Sequence, residues 1–149
     1  MKNNIELKNG IVIFLGIGIF FLLMDFLGLA DKNYLRILNA FIVLFGINET
    51  IKYNIRTDKS EYLYNLVSGF KTGVIGVFLG IVGLIIFIYI KGGETYLDKL
   101  SDTFFFGEDN NIIKYCSILF FEGIASSLIG SFTLMQYWKD VVLKPKMNK

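Results

Sequence analysis

The chain has 149 residues, 54% of them hydrophobic and 19% charged, with a formal net charge of +2, no histidine and a single cysteine. So apolar a composition lies outside the soluble globular range and calls for lipid. The missing histidine removes the usual ligand for haem and zinc and the commonest general base, and Cys116 alone makes neither a disulfide nor a thiolate cluster. With no Gly-x-Gly-Asp motif either, we expect no enzyme, no metal and no cofactor. The basic residues are dispersed and not interleaved with aromatics on one face, so no nucleic-acid partner is expected.

Four apolar segments of about the length that a helix needs to span a hydrocarbon core follow in chain order. The first covers 10–29. Lys2 and Lys8, the apolar run that follows, and Gly28-Leu29-Ala30 imitate a signal peptide with its cleavage site. The run continues through Phe26 and Leu27, however, and another segment follows at once, so retention is expected and cleavage is the alternative. The second segment, 35–52, is interrupted by Asn39, Asn48 and Glu49; Tyr34 and Tyr53 bracket it where an aromatic belt would sit. Asn48-Glu49-Thr50 matches a glycosylation acceptor, which at the expected cytoplasmic end of a helix reads as chance.

The third segment, 65–90, carries Gly69, Gly73, Gly76, Gly80 and Gly83, spaced four, three, four, three. Lipid supplies no hydrophobic force between helices, so small residues in heptad register predict a close helix contact. The fourth segment, 112–137, offers a matching surface in Gly123, Ser126, Ser127, Gly130 and Ser131. Gly10, Gly16, Gly18 and Gly28 fall in no register and are read as scattered. Between these two segments, Leu97, Leu100 and Phe104 recur at helical spacing opposite Asp98, Lys99 and Asp102, which predicts a short interfacial helix whose Phe104, Phe105 and Phe106 dip into the bilayer. Glu108 to Asn111 is expected to cap the next helix.

The expected fold is therefore an all-α membrane protein: a single transmembrane domain over 1–149, four helices in an up-down bundle, with a short interfacial helix in the second outer loop. Placing both termini in the cytoplasm gathers ten basic residues on that side (Lys2, Lys8, Lys52, Arg56, Lys59, Lys71, Lys139, Lys144, Lys146, Lys149) against five on the other (Lys32, Arg36, Lys91, Lys99, Lys114). This positive-inside bias gives a multi-pass orientation in the inner, cytoplasmic membrane. Pro145 is the sole proline, so no segment is broken at its centre in the manner of many carriers.

Gly46-Ile47, Lys52-Tyr53, Arg56 and above all Ser68-Gly69-Phe70-Lys71-Thr72-Gly73 resemble a bacterial family of four-helix inner-membrane proteins of unassigned function, over roughly 35–90. The loop before this stretch departs from the family, with Tyr62-Leu63-Tyr64 in place of a more glycine- and serine-rich approach. The resemblance implies the four-helix topology and no known activity.

Charges inside a membrane are costly and mark candidate sites. Counting along the segments puts Glu49 and Lys71 at one depth, where they are expected to form an ion pair. Asp25, Asn39 and Glu122, with Ser126 one turn away, are expected to converge in the outer half if the first and fourth helices are neighbours. Two functions fit. One is a structural or accessory subunit acting through helix contacts, with the bilayer and a homo-oligomer or membrane-complex partner around it; the alternative is a small oligomeric carrier or channel for protons or cations using Glu122 and Asp25.

Overall fold

Five helices follow one another: α1 (Ile5–Phe26), α2 (Ile37–Arg56), α3 (Tyr62–Lys91), α4 (Glu94–Ser101) and α5 (Ile112–Val142). This computed structural model describes residues 4–29, 32, 37–59, 61–101 and 111–142, with the side chains of 99–101 excepted, and no strand occurs among them. α1, α3 and α5 are long and apolar enough to cross a membrane. α2 has 20 residues but carries Asn48, Glu49, Lys52 and Asn54, and is not among the helices that meet the same measure.

Helix direction alternates, as contacts between named residues establish. Asn9 of α1 meets Thr50 of α2, Thr50 meets Thr72 of α3, and Gly73 of α3 faces Ser127 of α5. The arrangement is not a simple ring. α2 and α3 pack on each other and each also packs on both α1 and α5, whereas α1 and α5 share no packed interface. α1 therefore runs parallel to α3, matching Gly10 with Gly76 and Phe21 with Phe87, and lies on the opposite flank from α5.

The packing is inverted relative to a soluble protein. Thr50, Asn54, Asn65, Thr72, Ser127 and Ser131 are fully buried, while Ile19, Phe41, Phe45, Ile86, Phe121 and Ile129 stand on the outside, more than half exposed. Such a surface is stable where the solvent is hydrocarbon and costly where it is water. The apolar interior is small: Ile13, Val43, Ile47, Ile51, Met135 and Val142 form a cluster at one end, and Ile88, Leu97, Ile112 and Cys116 form another at the opposite end.

A short helix, α4, is present in the stretch where one was expected. Gly92 and Gly93 turn the chain out of α3 at φ +123° and +64°, conformations that favour glycine. The Gly93 amide closes the turn on the Ile88 carbonyl at 2.9 Å. Leu97 is fully buried against the ends of α3 and α5, so α4 closes that end of the bundle. Of the expected cap, Asn111 is described and accepts from the Ile113 amide at 2.9 Å. Phe104 to Phe106 and Glu108 to Asn110 lie outside the described residues.

Candidate functional site

The largest concentration of buried polar groups lies where α1 begins, α2 ends and α3 begins. Its middle is a chain of neutral hydrogen bonds. Asn9 Nδ2 donates to Thr50 Oγ1 at 2.9 Å, and the Thr50 and Thr72 hydroxyls lie 3.0 Å apart. Thr72 also donates to the Ser68 carbonyl within its own helix at 2.9 Å. A second chain runs beside it: Asn54 Nδ2 donates to Ser68 Oγ at 2.9 Å, and Ser68 Oγ donates to Glu6 Oε1 at 2.8 Å. Asn65 anchors the entry to α3 by donating to the Lys59 and Glu61 carbonyls at 2.7 and 2.9 Å.

The local sequence explains why these groups meet. Asn65, Ser68 and Thr72 recur at three and four residues, so they share one face of α3. Thr50 and Asn54 share a face of α2 for the same reason. Both faces are interleaved with glycine, which brings the backbones close enough for short side chains to reach across. A methyl group on Gly46 would collide with Ile13, one on Gly76 would lie 2.5 Å from Ile13, and one on Gly73 would lie 2.5 Å from Ser127 Oγ. Buried polar groups need such partners, because an unpaired hydroxyl or amide away from water carries the whole cost of its desolvation. Asn54 Oδ1, Asn65 Oδ1 and Ser131 Oγ are buried without a hydrogen-bond partner among the described residues.

The opposite end is built differently. Tyr96 of α4 donates its hydroxyl to Asp25 Oδ1 at 2.6 Å, and Lys91 Nζ lies 3.1 Å from Asp25 Oδ2. Phe87 stacks edge-on against both Phe21 and Tyr96, with Lys91 Nζ 5.5 Å from its ring centroid. Burial and the hydrogen bond to Asp25 together push the Tyr96 phenol above its ordinary range.

Several expected constellations are not assembled. Asp25 and Glu122 do not converge. α1 runs from Ile5 and ends at Phe26, three residues before the expected segment does, so Asp25 falls in its last turn, level with Lys91. Gly123, beside Glu122, faces Val77; fourteen residues of α3 separate that level from Lys91, roughly 20 Å along the axis at 1.5 Å per residue. Glu122 is exposed on the outer face of α5, and Ser126 is half-buried on the same helix. Asn39 is half-buried in the first turn of α2, its Oδ1 without a hydrogen bond among the described residues.

The expected Glu49 to Lys71 pair is replaced by a bond within α2, where Lys52 Nζ lies 2.9 Å from Glu49 Oε1; Lys71 points outward from α3. A partner three residues away on the same helix needs no interhelical reach.

The glycine seam is divided between partners. Gly69 and Gly73 face α2 and α5, Gly76 and Gly83 face α1, and nothing lies within 4 Å of a methyl on Gly80. On α5, Gly123 faces Val77 and Gly130 faces Leu44, while Ser127 donates to the Gly123 carbonyl at 2.8 Å. Gly10 and Gly16, read as scattered, are tight contacts with Ile75 and Ile42; Gly18 is open, as expected. No protein-family model, no curated protein and no solved structure matches this chain.

Proposed function

We propose that the chain spans the inner membrane four times, with both termini cytoplasmic, and acts as a structural or accessory subunit through its helix contacts. The observation that carries this reading is the orientation of α2. Its polar residues Thr50 and Asn54 are fully buried in the bundle, whereas its apolar Ile37, Leu38, Phe41 and Phe45 face out. A helix of marginal overall hydropathy thereby presents hydrocarbon with an apolar surface.

The ends of the helices support the orientation. Lys52, Arg56, Lys59 and Lys139 belong to the end that carries the neutral network, and Trp138 is fixed there by donating to Asn48 Oδ1 at 2.9 Å. Basic residues collect on the cytoplasmic side of short-looped membrane proteins, and tryptophan favours the interface. The stretch Ser68 to Gly73, which carries the resemblance to a bacterial four-helix family, supplies Ser68 and Thr72 to the network and Gly69 and Gly73 to the helix contacts.

The way the polar groups are used also supports a structural role. Asn9, Thr50, Thr72, Asn54 and Ser68 hydrogen-bond one another across three helices, which fixes the register of the bundle. The carrier reading lacks a comparable support, since its two carboxylates sit on helices that share no packed interface. Solubilisation from native membrane in a mild detergent, followed by mass analysis of the intact particle, tests the role. A stoichiometric partner is expected, and a chain that always isolates as a bare monomer would count against it.

A further inference from the structure

A shallow groove of about 370 Å³ opens on the flank of the bundle between the start of α1 and α3, near the end that holds the neutral network. Its walls are apolar, formed by Leu7, Val74 and Ile75, and its polar groups are Lys71, Glu6 and Asn4. Lys71 is exposed and makes no ion pair among the described residues. Glu6 accepts from Ser68 through Oε1, which leaves Oε2 without a described hydrogen bond. Asn4, the residue preceding α1, makes no side-chain cap bond, and it lies at the helix start, the end that carries the positive pole of the dipole.

One opening thus presents a cation, a helix start that favours anions, a carboxylate and an apolar wall. We propose that this groove holds the headgroup of an amine-bearing phospholipid, of the phosphatidylethanolamine class, an inference that rests on the bilayer reading given above. The phosphate lies beside Lys71 and the start of α1, the primary ammonium donates to Glu6, and the glycerol and upper acyl carbons cover Leu7, Val74 and Ile75. An anionic headgroup with no amine leaves Glu6 facing negative charge. A quaternary ammonium balances that charge but has no N–H to donate. Lys71 reaches the headgroup level by running its methylene stem along the apolar wall.

Native mass spectrometry of the detergent-purified chain tests this, with phosphatidylethanolamine, phosphatidylcholine and phosphatidylglycerol of identical acyl chains titrated in turn. Phosphatidylethanolamine is expected to bind most tightly. Lys71→Gln should weaken both phosphatidylethanolamine and phosphatidylglycerol by about tenfold, the factor set by one charge-assisted hydrogen bond. Glu6→Gln, whose amide oxygen still accepts from Ser68, should erase the preference for the primary amine. Val74→Trp, which fills the groove and leaves both charges in place, should weaken all three lipids.

Equal binding of the three headgroups, or binding unchanged in Lys71→Gln and Val74→Trp, would overturn the proposal. The unfolding midpoint of each variant in the same detergent separates loss of binding from loss of fold. Release of the chain from membranes by a carbonate wash would overturn the bilayer reading together with this one, whereas firm membrane retention without headgroup preference would overturn the lipid site alone.

Discussion

Where α1 begins, polar groups from three helices are buried and joined by neutral hydrogen bonds. Where α1 ends, an aspartate and a lysine meet at a partly open edge, with Lys91 47% and Asp25 19% exposed. The difference follows from what each place can solvate. A fully buried charge must overcome a desolvation cost that its partner repays only in part, so the interior holds hydroxyls and amides. Near the rim a charged pair keeps some of its hydration and can anchor α4, whose 8 residues are too few to cross a bilayer. The near end is therefore expected to govern the stability of the bundle, and the far end its closure.

The largest effect should come from the close contacts beneath the neutral network. Gly76→Leu sets a side chain against Ile13 and the Gly10 carbonyl and should lower stability by about 3 kcal/mol or more. Gly80→Leu, one turn further in the same glycine series, faces open space and should be tolerated. Thermal unfolding in one detergent compares the two, and equal loss at both positions would remove the distinction between seam and surface.

Next come the hydroxyls themselves. Thr50→Val and Thr72→Val, singly and together, form a double-mutant cycle whose coupling should fall near 1 kcal/mol, in the range of hydrogen bonds between membrane helices. Thr50→Val should be the costlier single change, because Asn9 then loses its acceptor as well. At the far end, Asp25→Asn should cost less, about 1 kcal/mol or below, as befits a partly exposed pair. If Asp25→Asn proved the more damaging, the contrast between the ends would be reversed.

The smallest effect concerns Tyr96. Its phenol is raised in the folded chain, so the stability it contributes is fully present below the ordinary tyrosine pKa of about 10 and is lost as pH rises through the folded value. Melting temperature should decline above about pH 10, and Tyr96→Phe should flatten that decline.

Much of the helical framework was legible because long apolar runs and a short amphipathic repeat need only local spacing. The boundaries were not. The first segment was expected to begin at residue 10, yet α1 begins at Ile5 and Glu6 and Asn9 bond to α3 and α2. That shift moved Asp25 from the expected interior to the rim and dissolved its meeting with Glu122. The neutral network had a readable trace, since Asn65, Ser68 and Thr72 follow the same stripe as Gly69, Gly73 and Gly76. A search directed at intramembrane charge passes over hydroxyls and amides. Gly10, Gly16 and Gly46 carry no register within their own helices and acquire their role only against Ile75, Ile42 and Ile13, contacts between helices that spacing along one helix does not encode.

Whether α2 crosses the bilayer is decided by thiol labelling on either side of it. In a Cys116→Ser background, Lys32→Cys should react with a membrane-impermeant maleimide in intact cells, and Thr57→Cys should react only after the membrane is permeabilised. Labelling of both positions from the same side would contradict the four-span bundle and leave the inward-facing polar residues of α2 without a membrane to explain them.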